Sequence, residues 1–497
     1  MYKTTRYKLL LLFIFAFSYT YSSFSEEKRP NIVYIMTDDQ RWDNFGCYGR
    51  PEFETTNIDK LAAEGVIFDN VYYTVSICAP SRVSVLTGRY FASHKGGFTY
   101  PFDRKIDKKD LDNSYPAILR KAGYRTGFVG KFGVYTKKEE VDLHDYFDFY
   151  AGSGGTWSED TKTIQGIRSR KTDPATYTAV MRKTDLMLNF LDTQPKDKPF
   201  CISISYDAVK NDSDKSLYVP HTKVFENKTM TVPENWVEGL NESFPKVLKE
   251  NARGVNLHGH FTSTPEKYQK LAKRFATQGY TVDQQVARVV DKLKEMGVLE
   301  NTVIIYTSDN GRFHGSHGLY DKAILYDEAV KAPLIIYDGR LPQKSRGRRE
   351  SALISFADIA PTIVSLANEK APTAMQGMDF SPMLKKKQKK SAWRDIVFME
   401  NLFLQEMHRA NAVLKLKNLD EINAKLVAEN KSYRSRGVRT ERYKYFVYYE
   451  HTPVIEELYD LDKDPSEMNN LINDAKYAKT LAEMRTQTEK LYQKFKE

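Results

Sequence analysis

Short apolar runs alternate along this chain with stretches in which apolar residues recur every three or four positions. Asn31-Ile32-Val33-Tyr34-Ile35-Met36 is such a run, bounded by Pro30 on one side and two acids on the other. A segment apolar at successive positions suits a strand buried on both faces. Further runs stand at 127–130, 200–205, 303–308 and 334–337. Between them, helical spacing covers 58–64, 115–122, 177–191 and 280–296. Strands alternating with helices predict an α/β fold with a mainly parallel sheet covered by helices on both faces. Chemistry in such a sheet collects at the carboxyl ends of its strands. Two oxygen-rich pairs stand there: Asp38-Asp39 after the first run and Asp309-Asn310 after the fourth. Beyond Ser381-Pro382, a lysine-rich stretch at 385–390 reads as a solvated linker or loop. Strand patterns at 395–399 and 443–449 and a helical pattern at 475–495 then predict a smaller α+β unit.

Composition sets the class. With 41% hydrophobic and 28% charged residues and no low-complexity tract, the 497-residue chain is globular and long enough for more than one domain. Lys3, Arg6 and Lys8 precede an apolar core at 9–17 and then Ser23-Phe24-Ser25. This is the pattern of a secretory signal peptide cleaved after Ser25, and its apolar core is too short to span a bilayer. The expected division is a signal peptide at 1–25, a catalytic domain at 26–390 and an α+β subdomain at 391–497. The mature protein is expected in the periplasm or outside the cell, without stable membrane insertion.

Loss of Lys3, Arg6 and Lys8 takes the formal charge from +10 to +7. A positive surface attracts polyanions. The basic residues form no stripe with aromatics and no finger spacing, so nucleic acid is not the expected partner. Three cysteines, Cys47, Cys78 and Cys201, are too few for a disulfide scaffold in an exported protein, and Cys47 and Cys201 are expected as free, buried thiols.

Cys78 stands apart from the other two. A lone cysteine between Ile77 and Ala79 is ordinarily a small buried hydrophobe. Here it opens Cys78-Ala79-Pro80-Ser81-Arg82, followed by Leu86-Thr87-Gly88-Arg89. This string resembles the C-x-P-S-R…L-T-G-R signature of the type I sulfatases, in the alkaline phosphatase superfamily. The resemblance continues through Asp38-Asp39 after the first strand, Gly130-Lys131, Ser308-Asp309-Asn310-Gly311 and His317-Gly318-Leu319…Lys322. In the C-terminal part it extends to Gly437-Val438-Arg439 and Glu457-Leu458-Tyr459-Asp460. It spans about residue 29 to 475.

The resemblance implies an alkaline-phosphatase-like fold: a large mixed, mainly parallel sheet flanked by helices, with the smaller C-terminal α+β subdomain. It implies that a maturation enzyme oxidises Cys78 to formylglycine, whose hydrate carries the geminal hydroxyls that attack sulfur and later release it. Asp38, Asp39, Asp309 and Asn310, with residue 78, would bind one divalent cation. Carboxylate and amide oxygens suit Ca²⁺, with Mg²⁺ as the second choice. Arg82 would hold the hydrate, and Lys131 and Lys322 would contact sulfate oxygens. Where most members carry a histidine two residues after the G-K lysine, this chain has Gly133. Where many carry Ala-Pro-His, it has Ala208-Val209-Lys210. Those histidines commonly move protons, so the candidates here are Lys210, given a lowered pKa, and His221 and His317.

The expected activity is hydrolysis of sulfate esters of a sulfated carbohydrate, a polysaccharide or glycosaminoglycan. The sequence leaves two alternatives open: a phosphodiesterase or phosphonate hydrolase of the same superfamily, and a catalytically silent protein that binds sulfated glycans.

Overall fold

A computed structural model describes residues 29–97, 104–153, 162–210, 217–239, 244–251, 253–386, 392–402 and 419–497. The signal-peptide segment and most of the 385–390 lysine stretch lie outside them. The main sheet contains β1 (Asn31–Thr37), β2 (Val66–Tyr72), β3 (Arg125–Lys131), β4 (Phe149–Ser153), β5 (Phe200–Ser205) and β6 (Thr302–Ser308). It is completed by β7 (Lys331–Ala332), β8 (Leu334–Asp338) and β9 (Arg348–Ser355). The strand order is β4-β3-β5-β1-β6-β8-β2-β7, with β9 also on β2. From β4 to β6 every neighbour is parallel. β8 runs antiparallel to β6 and β2, so the sheet is mixed but mainly parallel. This is the expected fold class.

The two faces of β1 show why a continuous apolar run was needed. Ile32, Tyr34 and Met36 enter one buried cluster, together with Val303 and Ile305 of β6. Val33 and Ile35 enter the cluster on the opposite face, with Ile304 and Tyr306. Each strand thus has no solvent face to mark with polar residues. The helix Pro265–Glu295 covers the second face and is twice as long as its apolar pattern indicated. Its first half carries Glu266, Lys267, Lys270, Lys273 and Arg274 around a narrow buried stripe of Tyr268, Leu271 and Phe275.

The small sheet is antiparallel, in the order β10 (Ile396–Asn401), β11 (Ser435–Thr440), β12 (Tyr443–Tyr448) and β13 (Ile455–Asp460). Its outer face, with Phe398, Val438, Tyr445 and Leu458, packs under the closing helix Ala478–Phe495. Its inner face, with Val397, Met399, Phe446, Tyr448 and Tyr459, packs against Phe313, Leu319 and Tyr326 of the main body. Cys201 is buried and Cys47 only partly so; both are free thiols, which corrects the expectation of full burial for Cys47. No helix among the described residues is long and apolar enough to cross a membrane.

Candidate active site

Strands β3, β5, β1 and β6 lie side by side and end at one edge of the sheet. Each delivers a side chain of the expected set. The register Thr37↔Ser308 brings Asp38-Asp39 beside Asp309-Asn310, although 270 residues separate the pairs. The Asp39 amide donates to Asp309 Oδ1 at 3.1 Å, and Asn310 Nδ2 donates to Asp39 Oδ1 at 2.7 Å. Asp39 has φ 61°, a left-handed conformation that an aspartate tolerates better than most residues.

Cys78 opens the helix Cys78–Thr87, after an extended Ile77. Its Sγ lies 3.6 Å from Asp38 Oδ1 and 3.8 Å from Asp39 Oδ1. Arg82 follows one turn later on the same face, as the 3.6-residue period requires. Its Nε and Nη2 reach Asp309 Oδ2 at 3.0 and 2.9 Å, and Nη2 lies 3.5 Å from Asp38. Arg82 Nη1 donates to Ser205 Oγ at 2.6 Å and to the Lys131 carbonyl. The guanidinium therefore ties the ends of β1, β3, β5 and β6 to the helix. Removing one partner of such a buried charge pair costs about 3–5 kcal/mol.

Three lysines converge on the same point. Lys131 pairs with Asp38. Lys322 pairs with Asp39 and donates to Asn310 Oδ1 at 3.1 Å and Cys78 Sγ at 2.9 Å. Lys210, from the loop after β5, lies 3.7 Å from Cys78 Sγ and 3.6 Å from Asp38 Oδ1. Two partners went unread in the sequence. Ser205 ends β5 beneath Arg82, and Arg312 binds Asp39 Oδ2 and the Lys210 carbonyl, both at 3.2 Å. Arg312 directly follows Ser-Asp-Asn-Gly, which was the one signal for it.

Burial and charge act against each other throughout. Burial pushes the Asp38 carboxyl up, and Asp309 and Asp39 add to that. Asp39 is also opposed by burial, but Lys322, Lys210 and Arg312 hold it well below the usual range. Asp309 is lowered likewise by Arg82, Lys131 and Lys322 against its burial. Burial raises the Cys78 thiol, as do Asp309 and Asp38, so an unmodified thiol there is protonated and a poor nucleophile. Burial works to lower Lys210, yet its anionic neighbours, Asp39 and Asp38 among them, leave it raised.

The donor set fits a hard divalent cation. One atom each from Asp38, Asp39, Cys78 and Asp309 lies within 4.8 Å of all the others, and all four residues are buried. The Asn310 carbonyl oxygen faces the same point, since it accepts from Lys322. Apart from the sulfur, all donors are oxygens, the chemistry of Ca²⁺ or Mg²⁺ sites.

The histidine candidates fall elsewhere. His221 lies between Tyr218 and Tyr280 and hydrogen-bonds Thr281 at 2.9 Å. None of its contacts reaches the Cys78 group. His317 stacks on Tyr326, with ring centroids 4.3 Å apart, and contacts Asn235 and Glu328. Gly133 has φ +64°, and a Cβ there would stand 2.7 Å from Arg82 Cδ. The Arg82 side chain thus occupies the space that a histidine at 133 would need.

The chain was compared with known proteins. The family model described as Sulfatase matches residues 30–369, and one described as N-sulphoglucosamine sulphohydrolase, C-terminal, matches 423–494. The chain is 26% identical to an N-acetylglucosamine-6-O-sulfatase of Bacteroides thetaiotaomicron, over 95% of this chain and 88% of that one. It resembles a solved structure in complex with its substrate D-glucosamine-2-N,6-O-disulfate. The TM-score is 0.74 and the identity 25%, covering 94% of this chain and 98% of that one. A phosphonate monoester hydrolase from Silicibacter pomeroyi shares the fold at TM-score 0.72 and 20% identity, covering 94% and 96%.

Proposed function

From the premise that the chain belongs to the sulfatase family and is a sulfuric ester hydrolase of alkaline-phosphatase-like fold, we propose that it removes sulfate from a sulfated carbohydrate after oxidation of Cys78 to formylglycine. The observation that carries this reading is the meeting of Cys78, three carboxylates and three lysines at the ends of four adjacent strands. A polysaccharide or glycosaminoglycan fragment is the favoured substrate class, supported by the sugar sulfates named for the relatives.

Cys78 Sγ marks where an oxygen of the oxidised side chain would stand. Asp38, Asp39, Asp309 and Asn310 would hold a divalent cation, Ca²⁺ before Mg²⁺, which supplies Lewis-acid polarisation of a sulfate oxygen. Lys131 and Lys322 bind the remaining sulfate oxygens, where negative charge builds. Each such preorganised donor contributes about 10²–10³-fold in rate. Arg82 fixes residue 78 on the helix N-terminus, whose free amides favour an anion. Lys210, 3.6 Å from Asp38 Oδ1 and partly open to solvent, stands in place of the family's histidine as the donor to the departing sugar oxygen, a role that requires its raised pKa to come down once residue 78 is oxidised and a cation offsets the carboxylates. His221 is held instead by Tyr218, Tyr280 and Thr281.

The test is mass spectrometry of the peptide containing Cys78, from protein produced alongside a formylglycine-generating enzyme. It is followed by ion chromatography of sulfate released from sulfated glucosamine oligosaccharides. Conversion with sulfate release supports the reading. An unmodified Cys78, or an oxidised protein that hydrolyses phosphonate or phosphate diesters and no sulfate ester, overturns it. Glycan binding without sulfate release points to the silent binding protein. The exported location is tested separately by the N-terminus of the secreted form, expected at Glu26.

A further inference from the structure

A second buried cluster of charge lies at the seam between the main body and the small sheet. One atom each from His317, Glu328 and Glu467 lies within 4.8 Å of the others, and all three residues are buried. No cation from outside is needed there. Lys444, wholly buried in β12, stands 2.8 Å from both Asp327 Oδ1 and Glu467 Oε1. Asn235 Nδ2 donates to Glu328 Oε1 at 2.6 Å and lies 3.1 Å from His317 Nε2.

What this cluster holds is the segment between Gly311 and Tyr326. That segment contains no helix or strand, and it carries Lys322. Three of its residues other than glycine have positive φ: His314 at 49°, His317 at 58° and Ala323 at 85°. Such conformations persist only where surrounding contacts over-determine them. Inside the segment, Phe313 N donates to Asp321 O at 2.9 Å and Gly315 N to Leu319 O at 2.7 Å. On the side of the main body, His317 N donates to Asn235 O at 2.7 Å and Tyr320 N to Gly254 O at 3.1 Å.

The far end, at Tyr326 and Asp327 about one helical turn's length of chain after Lys322, is tied to the small domain. Tyr326 Oη donates to Glu457 Oε2 at 2.7 Å, and the Asp327 amide donates to Glu467 Oε2 at 2.7 Å. The Asp327 carboxylate accepts from Lys444. Only four residues lie between Asp327, which pairs with Lys444, and Lys322, whose Nζ stands 2.9 Å from Cys78 Sγ.

We propose that Lys444 and Glu467 of the small domain are positioning residues for the catalytic lysine Lys322. The small sheet is then a part of the active site's geometry and not only a cover for the core. The proposal rests on the role of Lys322 in the reading above. Without the Lys444 ammonium, Asp327 and Glu467 lose the donor that joins them in a dry seam, and Arg439 is left as the cation acting on both. The Asp327 end of the segment is then no longer held to β12 by that ammonium, and the segment carrying Lys322, without helix or strand, is the least regular element available to move.

The experiment is a double-mutant cycle on sulfate-ester hydrolysis by oxidised full-length protein, with Lys444→Met and Lys322→Ala, singly and together. The expected result is a roughly tenfold lower kcat for Lys444→Met with KM within about twofold, and no further loss when it is added to Lys322→Ala. A merely structural role would lower the active fraction by the same factor in both backgrounds, so multiplicative losses overturn the proposal. Undiminished kcat in Lys444→Met also overturns it. Undiminished turnover in Lys322→Ala would instead overturn the role of Lys322 itself, and the positioning proposal with it. If Lys444→Met fails to fold, the near-isosteric Glu467→Gln goes through the same cycle with the same two outcomes.

Discussion

The edge of the main sheet and the seam beneath the small sheet both bury many charges, and they dispose of them differently. At the seam the charges are closed off. Glu457 accepts from Tyr326, Tyr448 and Tyr459, and Lys444 is enclosed between two carboxylates. At the sheet edge, Asp38, Asp39 and Asp309 face five cationic side chains: Arg82, Lys131, Lys210, Lys322 and Arg312. Two of these keep contact with solvent, the side chain of Lys210 at 42% and of Lys131 at 22% exposure. A saturated network fixes architecture. A network with surplus, reachable positive charge is prepared for an anion that arrives later, which is electrostatic preorganisation. Buried charge alone does not mark function; its imbalance and access do.

Four substitutions test that contrast, in falling order of effect. Cys78→Ala should lower turnover by about 10³-fold or more while leaving thermal stability unchanged or higher, since it removes the residue proposed to become the nucleophile and little packing. Lys131→Ala should cost about 10²–10³-fold in kcat, and calorimetry should show no comparable loss of folded-state stability. Gly133→Ala should displace Arg82 and lower kcat roughly ten- to a hundredfold, since small misplacements of a reacting group carry that cost. A rate equal to the parent's would show that Arg82 has room to yield.

The fourth belongs to the seam and should change stability without changing rate. Burial raises the Glu400 carboxyl to about 7, and its Oε2 has no hydrogen-bond partner among the described residues. A carboxyl with a raised folded pKa binds its proton more tightly when folded. Its contribution is therefore favourable below about pH 4.5 and lost as pH rises through about 7. Glu400→Gln should match the parent in acid and exceed its stability by up to about 3 kcal/mol at pH 8, read by denaturant titration at both pH values. A constant difference across pH would rule out that ionisation.

The parts legible in the sequence were those whose pattern the physics forces. β1, β5 and β6 are buried on both faces and read as mainly apolar runs, interrupted in β5 by Ser203. β2 went unread because Asp69 and Asn70 interrupt it where it shifts register against β9. β9 itself opens Arg348-Arg349-Glu350 and looks like a surface loop. Within the site, Asp38, Asp39, Cys78, Arg82, Lys131, Asp309, Asn310 and Lys322 were found through motifs, and the structure brings all eight together. Lys210 was found through a departure from the motif. His221 was chosen for its chemistry alone, and its position depends on a packing against Tyr280 that no local pattern encodes. Arg312 and Ser205 escaped because their roles are contacts across the sheet, and sequence spacing is silent about those.

The pairing of β1 with β6 also has a consequence in time. The strand that carries Asp38 and Asp39 gains its second neighbour only when residue 308 has been made. A ribosome adding about 5–20 residues per second needs on the order of ten to fifty seconds to travel there from residue 78. Until then the sheet edge has no Asp309 for Arg82 to grip and no Lys322 to cover Cys78. The finished fold leaves Cys78 only 8% exposed, beneath that lysine. Synthesis order therefore leaves an interval in which residue 78 is open, and folding ends it.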